Sequence, residues 1–304
     1  MDFVVALLRA SINSATPILL AALGGAFTYY ANVFNIAMEG MMLTGAYFGV
    51  IGSYFFGSWE VGILFALVSS LLLSLLFSLF AIYLRSDEFV TGIAINMLAL
   101  GGTTYLLRST FHVKGAFISP KIIGIPSWNF GFLHDVPILG SILGGYPFLV
   151  YVSFLLAVVV DIVVFRSRFG LRLRAAGEEP TATRSLGINP TTVRLVSALL
   201  SGVFCGLAGA FLSLGYVNLF SENMSNGRGW IALAIIILVR ARPLGILILS
   251  LLFGFFEALG IVLQNSPIPP QFTSMVPYVA TLFALYVYAR RKRKVSITAE
   301  VGDD

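Results

Sequence analysis

The sequence predicts an all-α fold, a polytopic transmembrane helical bundle of about nine spans with discontinuous or re-entrant segments. Hydrophobic residues make up 58% of the 304 residues and charged residues 11%, and the mean hydropathy is +0.93. A soluble domain carries about a quarter of its residues as charges. Apolar runs of about 20 residues recur along the whole chain, so we expect residues 1–304 to form a single transmembrane domain.

The first third of the chain predicts a short leading helix and four spans. The leading helix is placed at residues 2–11, and the spans at residues 15–30, 32–56, 61–84 and 89–107. Serines in the third span can bond backbone carbonyls or neighbouring helices; they are Ser69, Ser70, Ser74 and Ser78. Asp87 and Glu88 stand before the fourth span, where the helix dipole favours acids.

Three polar residues fall inside these apolar stretches. Asn35 and Glu39 are four residues apart, so they would share one face of a helix. A charged carboxylate at mid-bilayer costs about 2.5 to 3.5 kcal/mol, so Glu39 must face a cavity or a partner, or cap a helix near the interface. Asn96 is the central amide of the fourth span and predicts either an interhelical hydrogen bond or a solute contact.

Residues 108–146 are rich in proline and aromatic residues and carry little charge. This composition predicts an extracytoplasmic loop that docks an external partner. The loop holds both histidines, His112 and His134, 22 residues apart and far from the lone cysteine. We therefore expect no metal site.

The second half predicts five further spans, four of them continuous and one interrupted. They are placed at residues 148–165, 191–217, 244–263 and 274–289, with a ten-residue apolar run at 230–239 between the second and third. Ten residues are too few to cross a bilayer, so a discontinuous helix whose irregular backbone lines a cavity is expected. Asp161 is expected to pair with an arginine, and small residues at 202, 206, 209 and 210 predict a close-packing ridge.

The basic segment at residues 166–190 carries five arginines. It predicts a helix over 166–176 and, after Gly177, a short helix over 180–186 that begins with proline. Cationic residues beside spans mark the cytoplasmic side, and 14 of the 19 Lys and Arg then lie inside, together with a cytoplasmic tail at 290–304. The N-terminus is predicted outside and the C-terminus inside. A solvated loop that only obeys this charge rule is the alternative to a docking segment.

Several chemistries have no motif in this sequence. It contains no G-x-x-x-x-G-K-[ST], H-E-x-x-H, C-x-x-C or G-x-S-x-G. We therefore expect no bound cofactor and no enzymatic activity of its own. Cys205 is predicted to be a buried small hydrophobe. The net charge of +5 lies mainly at the membrane edge, which favours anionic lipid as a partner over nucleic acid.

Five stretches resemble one protein family. They are A-T-P-I-L-L-A-A-L-G-G from Ala15, N-I-A-M-E-G-M-M from Asn35, R-S-D-E-F-V-T-G-I-A-I-N-M-L-A-L from Arg85, G-L-R-L-R-A-A-G-E-E-P from Gly170 and R-P-L-G-I-L-I-L-S-L-L-F-G-F-F-E-A-L from Arg242. They resemble permease subunits of bacterial ABC importers, in the ribose, nucleoside and branched-chain amino acid permease family. The resemblance is closest to the nucleoside and simple-sugar branch and covers residues 15–288.

The resemblance implies a bacterial inner-membrane assembly. Two permeases would form the pathway, and the resemblance implies that they are paralogues in a heterodimer. Two cytoplasmic ATPases would bind ATP and Mg²⁺. An extracytoplasmic binding protein or lipoprotein would deliver the solute. Residues 170–189 would contain the coupling helix that contacts the ATPase, although the fuller E-A-A pattern of other importers is missing. The implied coupling residues are Arg172, Arg174, Glu178, Pro180, Thr181, Arg184 and Leu186.

Amide and aromatic side chains suit a neutral, hydroxylated solute such as a nucleoside, and riboflavin or a ribose-like sugar fits the same lining. The predicted pathway residues are Asn35, Glu39, Asn96, Trp230 and Glu257. One rival is a self-sufficient proton-coupled carrier in which Glu39 or Glu257 titrates. Another is an integral membrane enzyme, which is disfavoured because no nucleophile and base are placed together.

Overall fold

The computed structural model describes residues 2–128, 144–264 and Val279. The tail at 290–304 and His134 lie outside the described residues, as does the last predicted span apart from Val279. The predictions for those residues therefore stay predictions.

The described chain is mainly helical, which confirms the all-α prediction. Its first half contains α1 (Asp2–Tyr30), α2 (Met38–Phe56), α3 (Trp59–Ser78) with a π-helical turn at Leu79–Tyr83, α4 (Glu88–Phe111) and α5 (Phe148–Arg166). Its second half contains α6 (Arg168–Glu178), α7 (Pro180–Ser185), α8 (Pro190–Ala210) with a π-helical turn at Phe211–Tyr216, α9 (Arg228–Leu238) and α10 (Pro243–Leu263). Two short antiparallel pairs join β1 (Ala116–Phe117) to β4 (Phe220–Ser221) and β2 (Ser127–Trp128) to β3 (Tyr146–Pro147).

Within the described residues, six helices are long and apolar enough to cross a membrane. They are α1, α3, α4, α5, α8 and α10, and the spans of α3 and α8 include their π-helical turns. Helix α2 lies buried among them and packs on α3 and α8, while α1 packs on α8 and α10. Helix α9 has only 11 residues, which confirms the predicted discontinuous segment. The chain is a multi-pass membrane protein.

The N-terminal prediction of two separate helices is wrong, because α1 runs unbroken from Asp2 to Tyr30 through Pro17. Proline removes one backbone hydrogen bond, and in a membrane the freed carbonyls need other donors. The hydroxyl of Thr16 donates to the carbonyl of Ile12 at 2.9 Å, and that of Ser11 donates to Leu7 at 2.7 Å. These hydroxyls reinforce the turns that precede the proline, and the helix continues.

Small and hydroxylated residues form the contacts between the central helices, as the sequence predicted. The hydroxyls of Ser70 and Ser74 cross between helices and donate to the carbonyls of Met41 and Ala198 at 2.7 and 2.6 Å. The ridge on α8 allows backbones to approach closely. A Cβ placed on Gly209 would lie 2.2 Å from the carbonyl oxygen of Met42. Cys205 is buried in this layer, as predicted.

Described members of the two predicted sets of cationic residues lie at opposite ends of the bundle. At one end, Arg194 donates to the carbonyl of Ala31 at 3.3 Å, next to Tyr30 at the end of α1. At the other, Arg9 near the start of α1 donates to the carbonyl of Gly144 at 3.1 Å. Since α1 has 29 residues, these ends are separated by a full membrane span.

One charged residue differs from the sequence prediction. Asp161 was expected to pair with an arginine, and it forms no ion pair among the described residues. Charge patterning assigns a side of the membrane and not a partner, so it also gave no sign that the side chain of Arg228 is largely buried beside Glu257.

We expect Gly209→Ala to lower the thermal midpoint of the detergent-purified protein, because the added methyl group overpacks the contact between α8 and α2 by about 1 to 3 kcal/mol. Gly101→Ala is the matched control, since a Cβ there meets nothing within 4 Å. Alanine is about 0.8 to 1.0 kcal/mol better than glycine in a helix, so the control should be neutral or stabilising. Equal shifts for the two variants would contradict the ridge assignment.

Candidate functional site

The segment between α1 and α2 enters the bundle without helical structure. Asn35 lies in this segment, before α2 begins at Met38, so the prediction that Asn35 and Glu39 share a helical face is wrong. The Asn35 side chain accepts from the backbone N–H of Ala37 at 3.0 Å and donates to the hydroxyl of Ser201 at 3.0 Å. It therefore holds the irregular backbone against α8.

Asn96 on α4 holds the start of α2 in the same way. Its amide nitrogen donates to the carbonyl of Ile36 at 3.0 Å, and its amide oxygen accepts from the N–H of Gly40 at 2.7 Å. Of the two roles left open by the sequence, the structure shows the interhelical hydrogen bond. Helix α2 therefore begins inside the bundle, and a side chain of α4 forms hydrogen bonds with the backbone around its first turn.

Glu39 lies in the first turn of α2 and is 9% exposed. Its carboxylate oxygens accept from the backbone N–H groups of Gly227 and Gly229 at 2.8 and 2.6 Å. These two glycines flank the first residue of α9, so Glu39 caps a helix other than its own. The dipole at the N-terminus of α9 favours a carboxylate there. A Cβ on Gly229 would lie 2.6 Å from the backbone nitrogen of Glu39, which explains the glycine.

Arg228 joins α9 to α10 through Glu257. A guanidinium nitrogen of Arg228 donates to Glu257 Oε1, and the two side chains are 11% and 13% exposed. Another nitrogen, Nη1, donates to the carbonyl of Met224 at 3.0 Å. Breaking a buried pair leaves an uncompensated charge, so this contact fixes α9 against α10.

The five predicted pathway residues are therefore brought together in two groups. Glu39, Glu257 and Trp230 lie around the start of α9, and Trp230 is 42% exposed. Asn35 and Asn96 lie at the start of α2. The sequence reasoning missed Arg228 and the two glycines beside it. The signal available was the pattern N-G-R-G-W, a cation between two glycines at the beginning of a short helix.

A cavity of about 450 Å³ opens above the start of α9, and we call it the outer cavity. It is lined by Leu212, Tyr216, Val217, Leu219, Ser221, Glu222, Asn223, Met224, Asn226 and Arg228. The prediction that the irregular backbone before α9 lines a cavity is confirmed. Glu222 accepts from the N–H of Gly115 at 3.3 Å and from Arg108 at 3.1 Å. These two donors lower the pKa of the Glu222 carboxyl group, and the N–H of Gly115 has the larger effect.

The basic segment forms the two predicted helices at the opposite end. Ser167 caps α6 by accepting from the N–H of Gly170 at 3.0 Å, and Pro180 begins α7. Leu186, just after α7, is 78% exposed. Exposed positions on this segment also include Arg172, Glu178, Thr181 and Arg184. A large apolar side chain is therefore presented to solvent among polar neighbours.

Arg174 faces inward, unlike most of the predicted coupling residues. Its guanidinium carbon lies 5.4 Å from the ring centroid of Phe165. It also lines a second cavity of about 460 Å³, the inner cavity, with Tyr29, Tyr30, Asn32, Val33, Phe34, Glu88, Gly177 and Glu178. Arg174 is thus placed to stabilise the packing of α6 on α5, and Pro180 is partly buried at the start of α7. In the described ranges, no group of three or more His, Cys, Asp or Glu residues comes together to hold a metal.

Long apolar helices, a discontinuous helix and an exposed helical segment between spans are typical of membrane transport proteins. The family model described as the branched-chain amino acid transport system / permease component matches residues 7–285. The chain therefore belongs to that family and is a permease component of an ABC transporter.

Two relatives and one solved structure illustrate the similarity. The guanosine ABC transporter permease protein NupQ of Bacillus subtilis is 35% identical, over 91% of this chain and 89% of its own length. The nucleoside ABC transporter permease protein NupC of Lactococcus lactis is 34% identical, over 90% and 89%. An inward-facing structure of a putative metal-chelate type ABC transporter matches with a TM-score of 0.53 at 17% identity, over 94% of this chain and 86% of that one, which supports the fold alone.

We expect Glu39→Gln to lower the thermal midpoint, because the amide NH₂ of glutamine cannot accept from the N–H groups of α9. An unsatisfied buried N–H costs about 1 to 3 kcal/mol. Glu60→Gln is the control, since Glu60 is exposed at the start of α3. Unchanged stability in Glu39→Gln would show that Glu39 does not hold α9.

We expect the single variants Arg228→Met and Glu257→Leu each to destabilise the protein by about 3 to 5 kcal/mol, because each leaves one buried charge without its partner. The double variant should recover most of that loss. Thermal midpoints of the four proteins form a double-mutant cycle. Additive losses would contradict a structural pair and would favour separate roles for the two residues.

Proposed function

We propose that this chain is the permease subunit of an importer that moves nucleosides into the cell, driven by separate ATPases. The proposal is supported by similarity to permeases named for guanosine and nucleosides, over about nine-tenths of the chain. The predicted residues Asn35, Glu39, Asn96, Trp230 and Glu257 remain its proposed pathway. The geometry refines their roles, since Trp230 has a free face while the other four hold α2 and α9 in position.

The single observation that carries the ATP-driven mechanism is the exposed α6–α7 segment. It combines Leu186 with exposed residues of both charges, and it lies at the end of the bundle predicted to be cytoplasmic. Apolar anchors surrounded by polar groups are typical of protein interfaces. We assign this surface to the ATPase, which would bind ATP and Mg²⁺. The chain itself would sit in the inner membrane with its C-terminus in the cytoplasm.

Two further partners complete the proposed assembly. A second permease, a paralogue of this chain, would share the pathway, and an extracytoplasmic binding protein or lipoprotein would deliver the solute to the end that carries Arg9 and Arg108. The proton-coupled alternative is disfavoured because Glu39 and Glu257 are both occupied by donors of the protein.

We expect Leu186→Ser to reduce ATP-driven nucleoside uptake and the recovery of the ATPase with the purified permease. Loss of an apolar anchor costs about 2 kcal/mol, or roughly thirtyfold in affinity. Uptake is measured in proteoliposomes that contain the complete transporter with ATP inside. Leu84→Ser is the matched control, because Leu84 is 61% exposed at the same end but outside the α6–α7 segment. Equal losses in both variants, or none in Leu186→Ser, would refute the ATPase assignment.

A further inference from the structure

The outer cavity is built on a backbone that the protein fixes in position. The N–H of Leu219 donates to the carbonyl of Ser213 at 3.1 Å, and the N–H of Glu222 donates to that of Gly115 at 2.8 Å. The N–H of Asn226 closes a turn on the carbonyl of Asn223 at 3.0 Å. A lining held by its own hydrogen bonds is preorganised, so less ordering is needed when a ligand binds.

Two asparagines belong to the lining of this cavity. Asn218, Asn223 and Asn226 all adopt left-handed backbone conformations, with φ of 51°, 58° and 45°. Asn223 and Asn226 are exposed and line the cavity. Asn218 instead packs against Gly124, where a Cβ would lie 2.1 Å from its Oδ1. A carboxamide offers both donors and an acceptor, as recognition of hydroxyl groups and base edges requires.

The charged groups of the lining are paired, which favours an uncharged ligand. Glu222 is bound by Arg108, and Arg228 is bound by Glu257. The lining also includes Tyr216, whose aromatic ring gives a flat ring solute a surface to stack on. The volume of about 450 Å³ falls within the range of about 300 to 1,000 Å³ that is usual for small-molecule sites.

The position of the outer cavity relates it to the path through the membrane. Arg228 belongs both to its lining and to the first turn of α9, which runs toward the opposite end. The contacts of Glu39 and Glu257 lie at this same turn. A solute in the outer cavity would therefore rest on the point where α2, α9 and α10 are joined.

We infer that the outer cavity is the first solute-binding site of the permease on its outer side, and that it takes a neutral, hydroxylated ring solute of the nucleoside class. Asn223 and Asn226 are its specificity-determining contacts, and Tyr216 stacks on the base. The inference rests on the proposed function, because it assumes that solute enters from this end.

The first test compares glycine substitutions, which remove the amide and keep the left-handed backbone. The complete transporter is reconstituted in nanodiscs without the binding protein, and equilibrium binding of radiolabelled guanosine is measured. Loss of one neutral hydrogen bond weakens binding about fivefold, so Asn223→Gly/Asn226→Gly should lose about tenfold or more. Asn218→Gly is the matched control and should bind as the unchanged protein does.

Tyr216 distinguishes a nucleoside from a simple sugar. Tyr216→Ala should weaken guanosine binding about tenfold through lost stacking, and Tyr216→Phe should keep most of it. Ribose has no base, so Tyr216→Ala should affect its binding much less. Equal losses for guanosine and ribose would overturn the role of Tyr216 in stacking.

A labelling measurement covers the case in which the glycine variants fail to fold. The chain has one cysteine, Cys205, and it is buried, so Asn226→Cys introduces one accessible thiol. A membrane-impermeant maleimide should modify this thiol from outside, and guanosine should slow the modification several-fold. Glutamate, a charged solute, should not slow the modification. An unchanged modification rate in the presence of guanosine would overturn the assignment of the outer cavity as a solute-binding site.

The possible outcomes separate this inference from the proposed function. If the complete transporter imports no nucleoside with ATP, the proposed function fails. If it imports guanosine but the variants bind guanosine normally, only the outer cavity assignment fails. If the variants keep guanosine binding but lose capture of the binding protein, the surface is a docking site and the inference is also overturned.

Discussion

The structure depends on the contact between the carboxylate of Glu39 and the N-terminus of α9. Backbone that is not helical at membrane depth must have its polar groups satisfied by the protein. Glu39 satisfies two N–H groups, those of Gly227 and Gly229, and it does so from the first turn of α2. Asn96 performs the corresponding task for α2. Each interrupted helix is therefore stabilised by a polar side chain from another helix, and the interruptions are tolerated.

A contiguous path of contacts joins the exposed α6–α7 segment to the far end of α9. Gly177 on α6 packs against the carbonyl of Tyr30, to which a Cβ would approach within 2.1 Å. The hydroxyl of Tyr30 donates to the carbonyl of Arg240 at 3.3 Å, just after α9. Arg240 and Ala241 adopt left-handed conformations, so α9 ends at a sharp turn. These contacts connect α6 to one end of α9, while Glu39 and Glu257 hold the other end.

Prediction from sequence succeeded where local patterns are decisive and failed where depth and long-range contacts are decisive. Serines and glycines at helical spacing gave the packing ridge, because small residues at a helix interface have one favourable use. Asn35 and Glu39 were placed on one helical face because their spacing fits a helix. The helix instead starts at Met38, since Asn35 bonds Ala37 and Ser201. No pattern in the sequence indicates that Arg228 pairs with Glu257, 29 residues away.

The sequence by itself determined the membrane class, the discontinuous segment at residues 230–239, the sorting of charges to two ends and the basic segment with its two short helices. Hydropathy, length and charge depend on neighbours along the chain, so they are visible without coordinates. Only the tertiary structure decided what the buried polar residues do. A carboxylate that faces a cavity and one that caps a distant helix have the same local sequence, and the difference lies in the helix, α9, that packing brings against Glu39.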